Sequence, residues 1–472
     1  MSDLHAQIRA YVEDTIERID SDDVVATVSL QPVVTDRAGW YARPTWVAAG
    51  AAVLVLIGVG LPILFFGGDE SPVADQPATT IAVTVPTVTS PTSVTAPTVV
   101  PVAVPMIWHR VPDDGVLANS SILAVVAGGP GLVAGGIVFD SDLYLDAYLN
   151  AAGPPPASAA IWVSEDGDVW QRIDDSMLFA SEDSRLDSII NDIATGPLGI
   201  VAVGSHGFDA AVWISPDGLS WKRVVDDDLG SGGSGDGLQS ITGVTAGGPG
   251  WVAVGDGDFD AMVWVSSDGL EWTLVADEDL LGGDMVHADL YDVTLGGPGL
   301  VAVGSVGLTE GTGDTAQQAA IWTSDDGLDW QRLPNVSFAG DRVFEGVTAD
   351  PATGRLIAFG TPNGIWHSSD GREWIMTEPP LPLGGPAPSS GVAWDGDRLV
   401  AAGRDLAISV WVSLDGGRSW DRIEPETETF AAGDVARDVV LHGSRFIAVG
   451  EATGRPGEPP EGAVWIGEWS DR

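Results

Sequence analysis

Apolar and polar positions along the chain fall into a pattern that returns seven times between Leu132 and Trp469. Each return holds an apolar run bounded by glycine, then a tryptophan pair around a tight polar turn. The runs read LVAGG from Leu132, IVAVG from Ile200, WVAVG from Trp251, LVAVG from Leu300, LIAFG from Leu356, LVAAG from Leu399 and FIAVG from Phe446. The tryptophan phrase reads IWVSEDGDVW from Ile161, VWISPDGLSW from Val212, VWVSSDGLEW from Val263, IWTSDDGLDW from Ile321, IWHSSDGREW from Ile365 and VWVSLDGGRSW from Val410, with a short VWIGEW from Val464.

Each unit predicts four short β-strands, for example around Ile241, Trp251, Met262 and Glu271. Small, β-branched and aromatic residues between Gly, Pro and Asp suit strands joined by tight turns. One such sheet is apolar on both faces and needs a neighbour on each side. Strand-rich repeats of about 40 to 50 residues therefore predict an all-β fold, a seven-bladed β-propeller with four-stranded blades, strands a to d running outward from the axis. Fourteen of the nineteen Trp residues occupy two fixed positions of the unit, which marks them as packing residues.

The seventh unit runs out of sequence before its strand d. The missing strand matches a segment upstream: Trp108-His109-Arg110-Val111 parallels Trp170-Gln171-Arg172-Ile173 and Trp330-Gln331-Arg332-Leu333. Residues 106–111 are thus expected to complete the last blade, closing the ring with an N-terminal strand.

The turn between strands c and d resembles the Asp-box (BNR) repeat of sialidase-like β-propellers, usually Ser-x-Asp-x-Gly-x-x-Trp. Ser413, Asp415, Gly417 and Trp420 match that spacing, and five further copies are one residue shorter. The resemblance implies architecture. It gives Asp166, Asp217, Asp268, Asp326, Asp370 and Asp415 a structural role, their carboxylates accepting from turn amides beside a glycine.

Upstream the pattern changes. Residues 46–66 hold a run without charge, long enough for one transmembrane helix. Arg37 and Arg43 before it, and Asp69 and Glu70 after it, orient residues 1–45 to the cytoplasm and the propeller outward. The expected protein is single-pass in the cell membrane, extracytoplasmic beyond residue 66. Residues 67–105, with seven prolines, read as a semi-rigid stalk, and residues 106–472 as the propeller. Leu4, Ile8, Val12, Ile16 and Ile19 recur at helical spacing in the cytoplasmic segment, an amphipathic helix for a surface, self-association or a partner.

A formal charge of -47 disfavours nucleic acid as a partner. The chain has no cysteine, and its six histidines show no zinc spacing.

In such blades the short a-b and c-d turns share one face, while the long insertions share the other, where binding is expected. Aligned inner strands place Leu123, Asn191, Thr242, Tyr291, Glu345, Ser390 and Arg437 in one ring near the axis. With Tyr144 and Tyr148 of the first insertion, the residues Asn191, Tyr291, Glu345 and Arg437 form the candidate ligand-binding set. Asp256, Asp258 and Asp260 are the candidate metal ligands, and Asp140, Asp142 and Asp146 a second carboxylate cluster; calcium is the cofactor such oxygens suit. The function expected is non-catalytic binding or scaffolding of a glycan or envelope protein. The alternatives are a sialidase-like glycoside hydrolase using Tyr291, Glu345 and Arg437, and a transmembrane sensor signalling through residues 1–45.

Overall fold

Turn chemistry divides the chain into hairpins, and the hairpins assemble into seven antiparallel sheets of four strands each. The computed structural model describes Val25–Ala26, Leu56–Ile57 and residues 106–470 apart from stretches inside the long connections. Blade 1 consists of Ser120–Gly128, Gly131–Phe139, Ala157–Ser164 and Gln171–Arg172. The same order recurs in each blade up to the seventh, which begins with Val435–His442, Arg445–Ala452 and Glu461–Trp469.

The outer strand of blade 7 is Met106–Arg110. It lies antiparallel to Glu461–Trp469, with Met106 opposite Trp469 and Arg110 opposite Trp465. Val111 N–H continues the ladder to the Val464 carbonyl at 2.9 Å. Trp108 is buried there, its ring 6.0 Å from that of Phe430. The two ends of the domain therefore share one sheet, and neither can leave without breaking it.

The c-d turns show how local sequence dictates local structure. Gly218 adopts φ 77°, a conformation that a Cβ opposes. Its N–H donates to Ser215 Oγ at 2.8 Å, while Asp217 Oδ1 accepts from Leu219 N–H at 2.9 Å and Ser220 N–H at 2.8 Å. The Trp221 indole N–H then donates to the Gly218 carbonyl at 2.9 Å. The turns at Asp268, Asp326 and Asp370 repeat all these bonds. Amide bonds hold the carboxyls of Asp217, Asp268, Asp326 and Asp370 below the usual carboxylate range.

The core lies between blades. Val252, Val254, Val263 and Val265 of blade 3 pack with Leu290, Val293, Leu300 and Trp322 of blade 4. Trp162, Trp213, Trp264, Trp322 and Trp465, one per blade on strand c, have no exposed surface. Burying one such ring contributes at most about 4 to 6 kcal/mol. Four of these indoles also tie down the connection entering their own blade, donating to the carbonyls of Val116, Leu178, Asp228 and Thr429.

Contacts divide the chain into residues 1–96 and 97–472. In the first unit Val25–Ala26 pairs antiparallel with Leu56–Ile57. The remainder of the expected transmembrane helix, the cytoplasmic amphipathic helix and the stalk lie outside the described residues. Among the described residues no helix is long and apolar enough to cross a membrane.

Candidate functional site

Strand order fixes two unlike faces. The a-b and c-d turns form one, and the b-c and d-a connections the other. Met106 stands opposite Trp469, the last residue of strand c in blade 7, so the chain enters the propeller at the turn face. The long-loop face is the far side of the disc.

On that far side the inner strands of six blades change register. The ladders slip at Leu123, Asn191, Thr242, Tyr291, Glu345 and Arg437, each left as the extra residue of a β-bulge. A bulge turns its side chain out of the sheet's alternation, which is how one position of a packed strand comes to carry a polar group. Ser390, the seventh member of the ring, falls outside the described residues.

The ring does not act as a unit. Asn191 donates to Ser240 Oγ at 3.1 Å and to the Ile241 carbonyl at 2.8 Å, both in blade 3. Thr242 donates to the Leu290 carbonyl of blade 4 at 2.7 Å. These two side chains join neighbouring blades. Glu345 is half-buried at the corresponding place in blade 5.

Tyr291 belongs to a cluster that the sequence pattern did not reveal. Its hydroxyl donates to Asp289 Oδ2 at 3.2 Å, and His287 Nε2 lies 2.8 Å from the same oxygen. Burial, and secondarily the Asp289 charge, push the Tyr291 phenol above its ordinary value. A phenol so placed keeps its proton and is a poor nucleophile. His287, Asp289 and Tyr291 alternate along one strand; the missing signal was the bulge, which Tyr291 itself occupies.

A second cluster sits where blades 7 and 1 meet. Arg437 Nη2 donates to Glu451 Oε1 at 2.7 Å, and Ser121 Oγ donates to the other oxygen of the same carboxylate. Tyr144 stands within reach of that charge; burial first and Glu451 second raise its phenol. Of the candidate ligand residues, Arg437 bonds Glu451 and Tyr144 feels its charge.

Tyr144 is carried by a helix, Ser141–Asn150, where an irregular insertion was expected. Asp140 caps it, its Oδ1 accepting from Asp142 N–H at 2.9 Å and Leu143 N–H at 3.1 Å. Of the expected carboxylate cluster Asp140, Asp142 and Asp146, the Asp140 carboxylate thus serves as the helix cap. The helix leaves Leu143, Leu145 and Leu149 44, 46 and 70 % exposed. The side chains of Asp146 and Tyr148 are outside the described residues.

The other expected metal set is Asp256, Asp258 and Asp260. Gly257 stands opposite Asp260 and Asp256 opposite Ala261 in the b-c hairpin of blade 3, so Asp256 and Asp260 project from opposite faces of the sheet. Asp258 lies in the turn, outside the described residues. Among the described residues no three His, Cys, Asp or Glu side chains are grouped to hold a metal ion.

No protein-family model matches this chain, and no curated protein matches it. Solved structures do. YCF48 from Cyanidioschyzon merolae superposes with a TM-score of 0.44 at 14 % identity, covering 77 % of this chain and 98 % of that one. A structure titled YCF48 bound to D1 peptide gives 0.47 at 13 % identity, covering 78 % and 96 %. Likeness at that level assigns this chain neither a partner nor a reaction.

Proposed function

We propose that the protein is a membrane-anchored, extracytoplasmic propeller that binds or scaffolds a glycan or an envelope protein without chemical turnover. The observation that carries this reading is the point of chain entry. Met106 enters at the turn face, the side of the propeller opposite the long loops. The long-loop face carries the exposed leucines of helix Ser141–Asn150, a surface suited to a partner.

The hydrolase alternative would need Tyr291 as nucleophile and Arg437 to hold a substrate carboxylate. Instead the Tyr291 hydroxyl is bonded to Asp289 and Arg437 is neutralised by Glu451. A sensor role rests on residues 1–45 and gains no support from the propeller.

Incubating the full chain with a glycan array, and cross-linking it in cells through a photoreactive residue at Leu145, tests the reading. Retention of a glycan or capture of an envelope protein is expected, with no hydrolysis of a fluorogenic sialoside. Hydrolysis that vanishes in Tyr291→Phe would replace binding with catalysis.

A further inference from the structure

Past Arg110 the chain leaves the outer edge of blade 7, and residues 111–119 carry it to the first inner strand, which starts at Ser120. Beside that connection lies a cavity of about 470 Å³, lined by Arg110, Pro112, Asp113, Gly115, Ala118 and Glu461. Small-molecule sites commonly hold about 300 to 1,000 Å³. Met106 marks the turn-face end of the closing strand and Arg110 its other end, so the cavity sits on the rim toward the long-loop side.

Three segments remote in sequence meet at its walls. The closing strand supplies Arg110, the connection supplies Asp113, and Glu461 opens strand c of blade 7. Local bonds hold the connection in place. Asp113 Oδ1 accepts from Gly115 N–H at 3.0 Å and Leu117 N–H at 3.2 Å, and Gly462 N–H donates to the Leu117 carbonyl at 2.9 Å. Gly115 adopts φ 100°, which a Cβ would oppose, so the turn that aims Asp113 depends on glycine.

Opposite charges therefore line one cavity without meeting. Among the described residues Arg110 forms no ion pair with Asp113 or Glu461. A purely anionic guest would face two carboxylates, and a purely cationic one would face the guanidinium. A guest carrying both charges satisfies all three groups.

The blade does not require a base at this position. The residue opposite the strand c tryptophan is arginine in five blades, Arg110 included, but Leu274 in blade 3 and Met376 in blade 5. What all seven share is an aliphatic portion, so the stem serves the sheet and the charged head is available for another task.

We propose that this cavity binds a small zwitterion, an α-amino acid or short peptide with both ends free, whose carboxylate is taken by Arg110 and whose ammonium group is taken by Asp113 and Glu461. A guanidinium offers a carboxylate two parallel N–H donors, and an ammonium group has three donors for carboxylate oxygens. A guest so held bridges the closing strand, the first connection and strand c of blade 7, so its binding adds to the stability of the closed ring. This site does not depend on the partner-binding reading.

The test is thermal unfolding and calorimetric titration of the full chain with alanine and alanyl-alanine, against alanyl-alanine acetylated at its amino end or amidated at its carboxyl end. A saturable rise of the midpoint with at least one free-ended probe is expected. Blocking either end should weaken binding about 10- to 100-fold. Arg110→Met should weaken it by a similar factor, and the Met376 precedent in blade 5 predicts an unchanged midpoint without ligand. Should that variant nevertheless unfold, Glu461→Gln, on an exposed side chain, decides by losing the discrimination against the acetylated probe. No saturable binding of either free-ended probe overturns the proposal. So does equal binding of the acetylated form, which would mean an anion site, or of the amide, which would mean a cation site.

Discussion

The two faces of the disc solve the same problem in opposite ways. On the turn face the c-d turns at Asp217, Asp268, Asp326 and Asp370 satisfy their own donors, so one short phrase can be copied from blade to blade. On the long-loop face three polar side chains find partners in another blade: Asn191 in blade 3, Thr242 in blade 4, and Ser121 of blade 1 on Glu451 of blade 7. A self-contained turn is repeatable, whereas a group that depends on its neighbour differs at each junction. Variation therefore gathers where function needs it, on a frame that the repeated side holds fixed.

The sharpest way to break this comparison is to remove the frame's closure. Deleting residues 106–112 strips blade 7 of its outer strand and of Trp108, and should cost more than about 5 kcal/mol in denaturant unfolding. An unchanged midpoint would mean that the ring does not depend on its closing strand.

Trp264→Ala comes next. It removes a fully buried ring and the bond to the Asp228 carbonyl, and about 3 to 5 kcal/mol should be lost on the same measurement. A loss below about 1 kcal/mol would show that the interblade core is not what holds the ring.

The smallest stability effect is expected on the other face. Leu143→Ser with Leu149→Ser changes two exposed residues of the capped helix and should leave stability within about 0.5 kcal/mol. Capture of a partner should nevertheless fall. Undiminished capture would move the recognition surface off this helix.

Several features could be read directly from the linear pattern. Seven tryptophan phrases gave seven blades, and the match of Trp108-His109-Arg110-Val111 to the other outer strands located the closing segment. Both are local signals, since strand and turn chemistry repeat at fixed spacing. The inner ring was also located by alignment, although its chemistry was not. Nothing in the order of residues indicates that Asn191 and Thr242 spend their polar atoms on the adjacent blade, or that Arg437 is met by Glu451 fourteen residues later.

Two further signals lie in the order of residues. An Asp follows the ring position in Asn191-Asp192-Ile193, Tyr291-Asp292-Val293 and Arg437-Asp438-Val439. A polar residue at a buried position asks for a partner, and here the partner is another blade's amide. Asp140 before Ser-Asp-Leu-Tyr-Leu likewise marks a helix start within the first long insertion.

The sequence by itself determined the number of blades, the turn that ends each hairpin and the segment that closes the ring, because those depend on residues a few positions apart. Only the tertiary structure decided which carboxylates cap, clasp or pair, and which face the chain enters. Those outcomes depend on the register of bulged strands and on side chains brought together from different blades, distances that no spacing along the chain encodes.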